Sequence, residues 1–342
     1  MAECDRDVVR DALISAQGYC QFGCSKVSVV GCGNLGTAIA YALCLQDLCS
    51  DVVLYDGDDE QLTSEVMDLQ VPAACGSTRI HGSTDLAHTA DSRLCVLTAT
   101  ARQRPGAGKQ QLLRRNMAVL RGLVPALASY SPLCVMLVVT NPVEPLTYLT
   151  WKLSNFPARR VIGVGTHLDS TRLRFAIAKA LRVHPSSVQA TVFGEHGDQQ
   201  IADLPAASVA GVRPAELDGE ASQGFHSFAQ VAVRDVKDSA RRIVCSKGFT
   251  QWGVAMSVAA ICSAVLNDTR EVLTVTVCAE GCKHAEGLDV FVSLPAALCL
   301  HGVHAVMKPH LPPQLQRSLC DVPPQLLAAQ RLVDQFLAAA RV

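Results

Sequence analysis

Residues 26–56 read KVSVVGCGNLGTAIAYALCLQDLCSDVVLYD, and this stretch decides the fold. A β-branched run at Lys26 to Val30 stops at glycines, helical periodicity follows through about Cys49, and DVVLYD supplies a second β-branched run. The order is strand, turn, helix, strand. In the turn Gly31-Cys32-Gly33-Asn34-Leu35-Gly36, the first glycine allows a tight reversal and the second lets backbone approach a pyrophosphate. The third, Gly36, lets the helix close on the strand, and the new helix N-terminus around Asn34 and Leu35 offers free N–H groups to phosphate. Asp56 ends the second strand, where a carboxylate accepts from ribose hydroxyls. An acidic group there also repels a 2'-phosphate, so the expected cofactor is NAD rather than NADP.

Outward from this unit, apolar runs at Leu94 to Thr98 and Leu133 to Thr140 flank a long helical stretch and extend a parallel sheet buried on both faces. The fold class is therefore α/β, a Rossmann-type doubly wound parallel sheet followed by a mixed α/β substrate domain. The second part is expected to hold helices, two strand candidates (EVLTVTV and DVFVSLP) and a C-terminal helix around Gln325 to Ala340. Residues 1–25 form an N-terminal arm or helix, 26–166 the cofactor domain and 167–342 the substrate domain. The apolar spacing of Val8, Val9, Ala12, Leu13 and Ala16 suits a short amphipathic helix, packed either on its own domain or on a neighbour. No flexible linker separates the halves, so a broad interface with a cleft is expected.

A length of 342 residues fits one large or two closely packed domains. The net charge of -1 gives no basic field for nucleic acid or anionic lipid, and neither partner is expected. The 18% of charged residues is low for a monomer surface and favours an oligomer. Of the fifteen cysteines, Cys32, Cys95, Cys134 and Cys262 lie in apolar runs, as buried thiols of a reducing compartment would. The pairs Cys20 with Cys24 and Cys278 with Cys282 lack the spacing of a zinc site, and no metal is expected. The acidic start MAECDRDVVRD is not a secretory signal, and no apolar run reaches membrane length, so a cytoplasmic location is expected.

From about residue 26 onward the chain resembles the L-lactate and malate dehydrogenase family. The segments that carry the resemblance are VVGCGNLG, MDLQ, TATARQRPG, VVTNPVEPLTYLTWKLSNFP, RVIGVGTHLDSTRLRF, GEHGD and KGFTQWGVAMSVA, in the family's order. By itself His196 of GEHGD would read as a surface histidine, although histidine is the natural group for proton exchange near neutral pH. The resemblance makes it the general acid/base, which protonates the pyruvate carbonyl oxygen as hydride arrives and takes the hydroxyl proton of lactate in reverse. Asp169 of HLDSTR, also readable as a helix N-cap, matches the carboxylate that orients the imidazole. Arg172, one helical turn on, matches the anchor of the substrate carboxylate, a task suited to a guanidinium fork. Asn141 corresponds to the residue touching cofactor and substrate near the reacting carbon, Thr250 to one bordering the substrate side chain, and Arg102 to a cofactor contact.

Substrate choice is expected in the segment from Ala101 to Lys109, a glycine- and proline-containing lid. Malate-type relatives carry an arginine where this chain has Gln103, and a neutral amide suits the methyl group of pyruvate better than a second carboxylate. The resemblance therefore implies an L-lactate dehydrogenase acting on a small-molecule substrate, assembled as a homotetramer. Alternatives are a malate or broader 2-hydroxy-acid enzyme, or a weakened NAD-binding relative. Lys109 stands where the family has the arginine that polarises the carbonyl, keeping the charge without the fork. Thr100 replaces a glycine beside the cofactor, and His167 an asparagine. Gln189 falls where sugar-bisphosphate-activated relatives have histidine, although Arg174 matches their neighbouring arginine, so such activation is not expected.

Overall fold

The computed structural model describes residues 25–101, 108–217, 219–279, 290–307 and 311–339. The N-terminal arm, apart from its last residue, lies outside these, as do Arg102 and Gln103.

The first half alternates strands and helices as its periodicity requires: β1 (Lys26–Val30), α1 (Asn34–Leu45), β2 (Asp51–Tyr55), α2 (Asp59–Ala74), β3 (Arg79–Ser83) and β4 (Leu94–Leu97). It continues with α3 (Lys109–Tyr130), β5 (Val135–Val138), α4 (Val143–Ser154) and β6 (Val161–Gly163). The six strands pair in parallel in the order β3-β2-β1-β4-β5-β6. Chain order reverses beside β1, so the carboxyl ends of β1 and β4 open a crevice, the place where such sheets bind nucleotides. With helices on both faces, β1 and β4 have no solvent side, and Val27, Val29, Val96 and Leu97 are all fully buried. The one polar residue inside β1, Ser28, meets Ser92 through a 2.7 Å hydroxyl contact.

Helix α1 ends at Leu45 rather than near Cys49, because the chain turns at Asp47 with φ 47°. Cys32, Cys95, Cys134 and Cys262 are indeed buried thiols, and burial pushes the pKa of Cys32 and Cys262 far up. That leaves little thiolate for chemistry.

The second half opens with α5 (His167–Leu181) and four short strands, β7 (Val188–Gln189), β8 (Val192–Gly194), β9 (Gln200–Ala202) and β10 (Ser208–Val209). Two helices follow, α6 (Glu220–Lys247) and α7 (Trp252–Leu266), then β11 (Val272–Cys278), β12 (Phe291–Cys299), β13 (Gly302–Val306) and α8 (Pro313–Ala339). The two expected strands are present, but they do not build a separate sheet. β11 docks antiparallel on β6, and β12, β8 and β9 continue from it, so both halves share one sheet. Helix α8 starts well before Gln325 and runs through Pro323 and Pro324. Mid-helix prolines forfeit backbone donors, which is why the periodic signal is strong only after them.

An aromatic seam joins the halves where Tyr148 and Trp151 of α4 pack on Phe291 of β12, with ring centroids 6.2 and 5.6 Å away. The Tyr148 hydroxyl also donates to Asp334 of α8 at 2.9 Å. A second apolar cluster, including Leu173, Ile177, Val192, Phe225 and Val236, clamps α5 between α6 and the β7–β8 region. That clamp fixes the helix carrying Asp169 and Arg172.

Candidate active site

At the crevice, Gly31 has φ 112°, a conformation L side chains avoid, and a Cβ there would lie 2.6 Å from the Ala99 nitrogen. A Cβ on Gly36 would sit 1.8 Å from the Gly31 carbonyl oxygen, so the third glycine is required by the packing of α1 on the turn. Gly33 differs from both, because a Cβ there would meet nothing within 4 Å. The free space lies beside the first residues of α1, Asn34 and Leu35, with no acidic residue in that first turn to compete for the helix N–H groups. It is a cradle suited to a pyrophosphate. Asp56 is tied to the same turn: its carboxylate accepts from the Cys32 N–H at 2.7 Å and the Asp58 N–H at 3.2 Å. Each oxygen keeps lone-pair capacity for a ribose hydroxyl. The residues present fit NAD.

In the second half, Asp169 lies in the first turn of α5 and is buried. Its carboxylate meets His196 Nδ1 at 2.6 Å. An ionised carboxylate can only accept, so Nδ1 carries the donated proton and Nε2 is left without it. Burial alone would pull the His196 pKa down, but the hydrogen bond and charge of Asp169, with the charge of Glu144, outweigh it and hold the pKa up. The sequence fragments that hold these two residues meet because Thr166 and Ser170 both bond the Val192 carbonyl, at 2.6 and 3.2 Å. Helix α5 is thereby pinned to β8, the strand that leads into Gly194 to Asp198.

Arg172 lies on the same side of α5, with Nη1 3.6 Å from the Asp169 carboxylate. That distance is an ion pair without a hydrogen bond. Nη1 is buried with no hydrogen-bond partner among the described residues, and burial lowers the guanidinium pKa while Asp169 opposes it. A buried guanidinium nitrogen left unpaired is costly, and an incoming carboxylate would relieve it.

His167 is buried, its Nδ1 2.6 Å from the Ser257 hydroxyl of α7, and burial pulls its pKa down to about 4. It is therefore neutral near pH 7 and pins α5 to α7. Thr250 sits half-buried in the short segment before α7. The first turn of α7, just after it, abuts α5, since a Cβ on Gly253 would lie 3.1 Å from the Leu168 side chain.

Two further residues come into the site that motif reading overlooked. Asn116 of α3 is fully buried, accepts from the Ala101 N–H at 2.9 Å and donates to the Asn141 carbonyl at 2.7 Å. It ties Ala101 to the segment that follows β5. The Thr100 hydroxyl donates to the same Asn116 oxygen at 3.1 Å, which gives its extra bulk a bonding partner. The second overlooked residue is Glu144, buried in the first turn of α4, whose carboxylate accepts the His196 main-chain N–H at 2.8 Å. A polar group at a core-facing helical position is the signal that could have found both.

Lys109, the first residue of α3, pairs with Asp198 of the His196 loop at 2.6 Å, both side chains being well exposed. The Asp198 hydrogen bond raises the Lys109 pKa and lowers that of Asp198. The ammonium therefore stands beside the loop that carries His196. Among the described residues no cluster of His, Cys, Asp or Glu suits a metal ion, and no helix is long and apolar enough to cross a membrane.

Residues 25–163 match the family model described as lactate/malate dehydrogenase, NAD binding domain, and residues 166–337 the alpha/beta C-terminal domain of the same family. The chain is 38% identical over 299 residues to the L-lactate dehydrogenase A chain of Champsocephalus gunnari, covering 86% of this chain and 90% of that one. With L-lactate dehydrogenase B of Hordeum vulgare it shares 43% identity over 285 residues, 82% and 83% of the two chains. Among solved structures, a ligand-bound minor L-lactate dehydrogenase from Enterococcus mundtii superposes with a TM-score of 0.86 at 33% identity, over 91% of this chain and 98% of that one.

Proposed function

The chain belongs to the lactate/malate dehydrogenase family, and from that premise we propose how its residues divide the work of an NAD-dependent L-lactate dehydrogenase. The reaction is the reversible interconversion of (S)-lactate and pyruvate. When bound, NAD supplies the hydride chemistry at the substrate C2. Arg172 holds the substrate carboxylate, and its unpaired, buried Nη1 is the observation that carries this reading. His196, through Nε2, gives a proton to the pyruvate carbonyl oxygen or takes one from the lactate hydroxyl. Asp169 fixes the tautomer and stabilises the imidazolium. Asn141, held by Asn116, lines the approach to the reacting carbon, and Thr250 borders the substrate methyl group. Gly31, Gly33, Asn34, Leu35, Gly36 and Asp56 hold the dinucleotide, with Arg102 as a further contact. Gln103 excludes a second substrate carboxylate by offering it no cation.

We assign carbonyl polarisation to Lys109, which must leave Asp198 to reach the substrate. That interaction strengthens as negative charge builds on the oxygen, so it acts on the transition state more than on binding. Lys109→Arg, which restores a planar fork, should raise kcat for pyruvate reduction by about ten-fold while oxamate affinity stays nearly unchanged. Steady-state kinetics and inhibitor titration test the assignment. An unchanged kcat in Lys109→Arg, with a collapse in Arg104→Ala or Arg114→Ala, would move the role to that arginine.

The domain division at residues 166 and 167, a homotetrameric assembly and a cytoplasmic location belong to the same proposal. Assembly is supported by large apolar side chains left exposed on α1 and α7, including Tyr41, Trp252 and Met256.

A further inference from the structure

We propose that Glu144 is a positioning residue for the acid/base: from the cofactor half it holds the main chain of His196, as Asp169 from the substrate half holds the ring. The inference rests on His196 being the acid/base. Glu144 is 2% exposed, and one oxygen, Oε1, takes the His196 N–H at 2.8 Å, the Ser293 hydroxyl at 3.3 Å and the Thr276 hydroxyl at 3.5 Å. Those donors come from the catalytic loop, from β12 and from β11. Glu144 lies three residues after Asn141, so one short segment at the end of β5 touches both the approach to the reacting carbon and the acid/base loop.

A merely structural acceptor for one N–H could be neutral. A carboxylate is a costly choice, because burial pushes the Glu144 pKa up to about 7 against the opposing His196 N–H and imidazolium charge. The charged and titratable groups that face it are His196 and Glu195 on the loop and Lys109 at the start of α3. Glu195 disfavours its ionised form, whereas the imidazolium favours it. The relation is mutual: ionised Glu144 makes His196 hold its proton more strongly. Anchoring the loop with a charge thus also sets the proton affinity of the group it anchors.

The test is the pH dependence of kcat/KM in both directions for the full-length enzyme. Pyruvate reduction needs protonated His196 and falls as pH rises through its pKa; lactate oxidation needs the neutral form and falls as pH drops through the same value. Glu144→Gln keeps an acceptor but removes the charge, so both limbs should move to lower pH by about half a unit or more, with NADH affinity unchanged. Ser293→Ala removes a donor that favours the ionised carboxylate and should move both limbs the same way by less; it decides the matter if Glu144→Gln does not bind NADH. Profiles that superimpose on wild type in Glu144→Gln, or in Ser293→Ala where that variant decides, would overturn the proposal. Failure of the underlying reading looks different: His196→Asn would then stay active.

Discussion

Replacing His196 with asparagine is expected to lower kcat for pyruvate reduction by about 10²–10⁴-fold, the usual range for a positioned general acid, while NADH still binds. The carbonyl oxygen gains a full negative charge as it is reduced, and without a proton donor that charge must be stabilised by the lid cation alone. Asparagine can occupy the space and accept contacts, but it cannot deliver a proton near pH 7. Asp169→Asn should cost a comparable factor through a different route. Its amide can offer N–H to Nδ1, which would favour the neutral tautomer protonated at Nε2 and leave the imidazolium without a carboxylate to stabilise it. Because the two side chains meet at 2.6 Å and act as one unit, the double variant should be little worse than the poorer single one. Parallel measurements of kcat and of NADH fluorescence titration check this. Residual activity within about ten-fold of wild type in His196→Asn would contradict the assignment.

Arg172→Lys is the second large effect, and it should appear in KM rather than kcat. The substrate carboxylate is held equally in ground state and transition state, so losing the anchor removes uniform binding. Lysine keeps the charge but loses the fork, and its flexible ammonium can turn to the Asp169 carboxylate, already 3.6 Å from Arg172 Nη1. A penalty of about 2–3 kcal/mol is reasonable for a buried charged pair with one partner altered. It corresponds to a rise of roughly 30- to 150-fold in the pyruvate KM. Oxamate, which shares the carboxylate, should lose affinity by the same factor. An equal fall in kcat with an unchanged inhibitor constant would mean that Arg172 does something other than hold the substrate.

Much of this site is legible in the chain because its parts are local. The β1–turn–α1–β2 unit is contiguous, and its glycine spacing has a single physical meaning that the 1.8 Å conflict at Gly36 makes explicit. Asp169 and Arg172 are three residues apart on one helix and share a face for that reason. What the sequence conceals is long-range pairing. Asn116 reaches Asn141 across 25 residues and Glu144 reaches His196 across 52, and no local periodicity encodes either contact. Short strands are hidden for a related reason: β7 to β10 span only two or three residues each, too few for an alternating pattern to register. The fused sheet was equally invisible, since β11 and β12 read as strands without saying that their partner is β6. The lid offers the opposite case, in which Gln103 and Lys109 are read by register against the Pro-Gly pair and only Lys109 lies among the described residues.

The central claim is that this chain reduces pyruvate with NADH through the Asp169–His196–Arg172 constellation. Its most direct test is the initial rate of NADH oxidation by the wild-type protein, with pyruvate and with oxaloacetate in parallel. The expected result is a kcat/KM for pyruvate at least about ten-fold above that for oxaloacetate, since a second carboxylate would enter a closed site without a partner cation. A preference for oxaloacetate, or NADH binding without turnover of either acid, would contradict it.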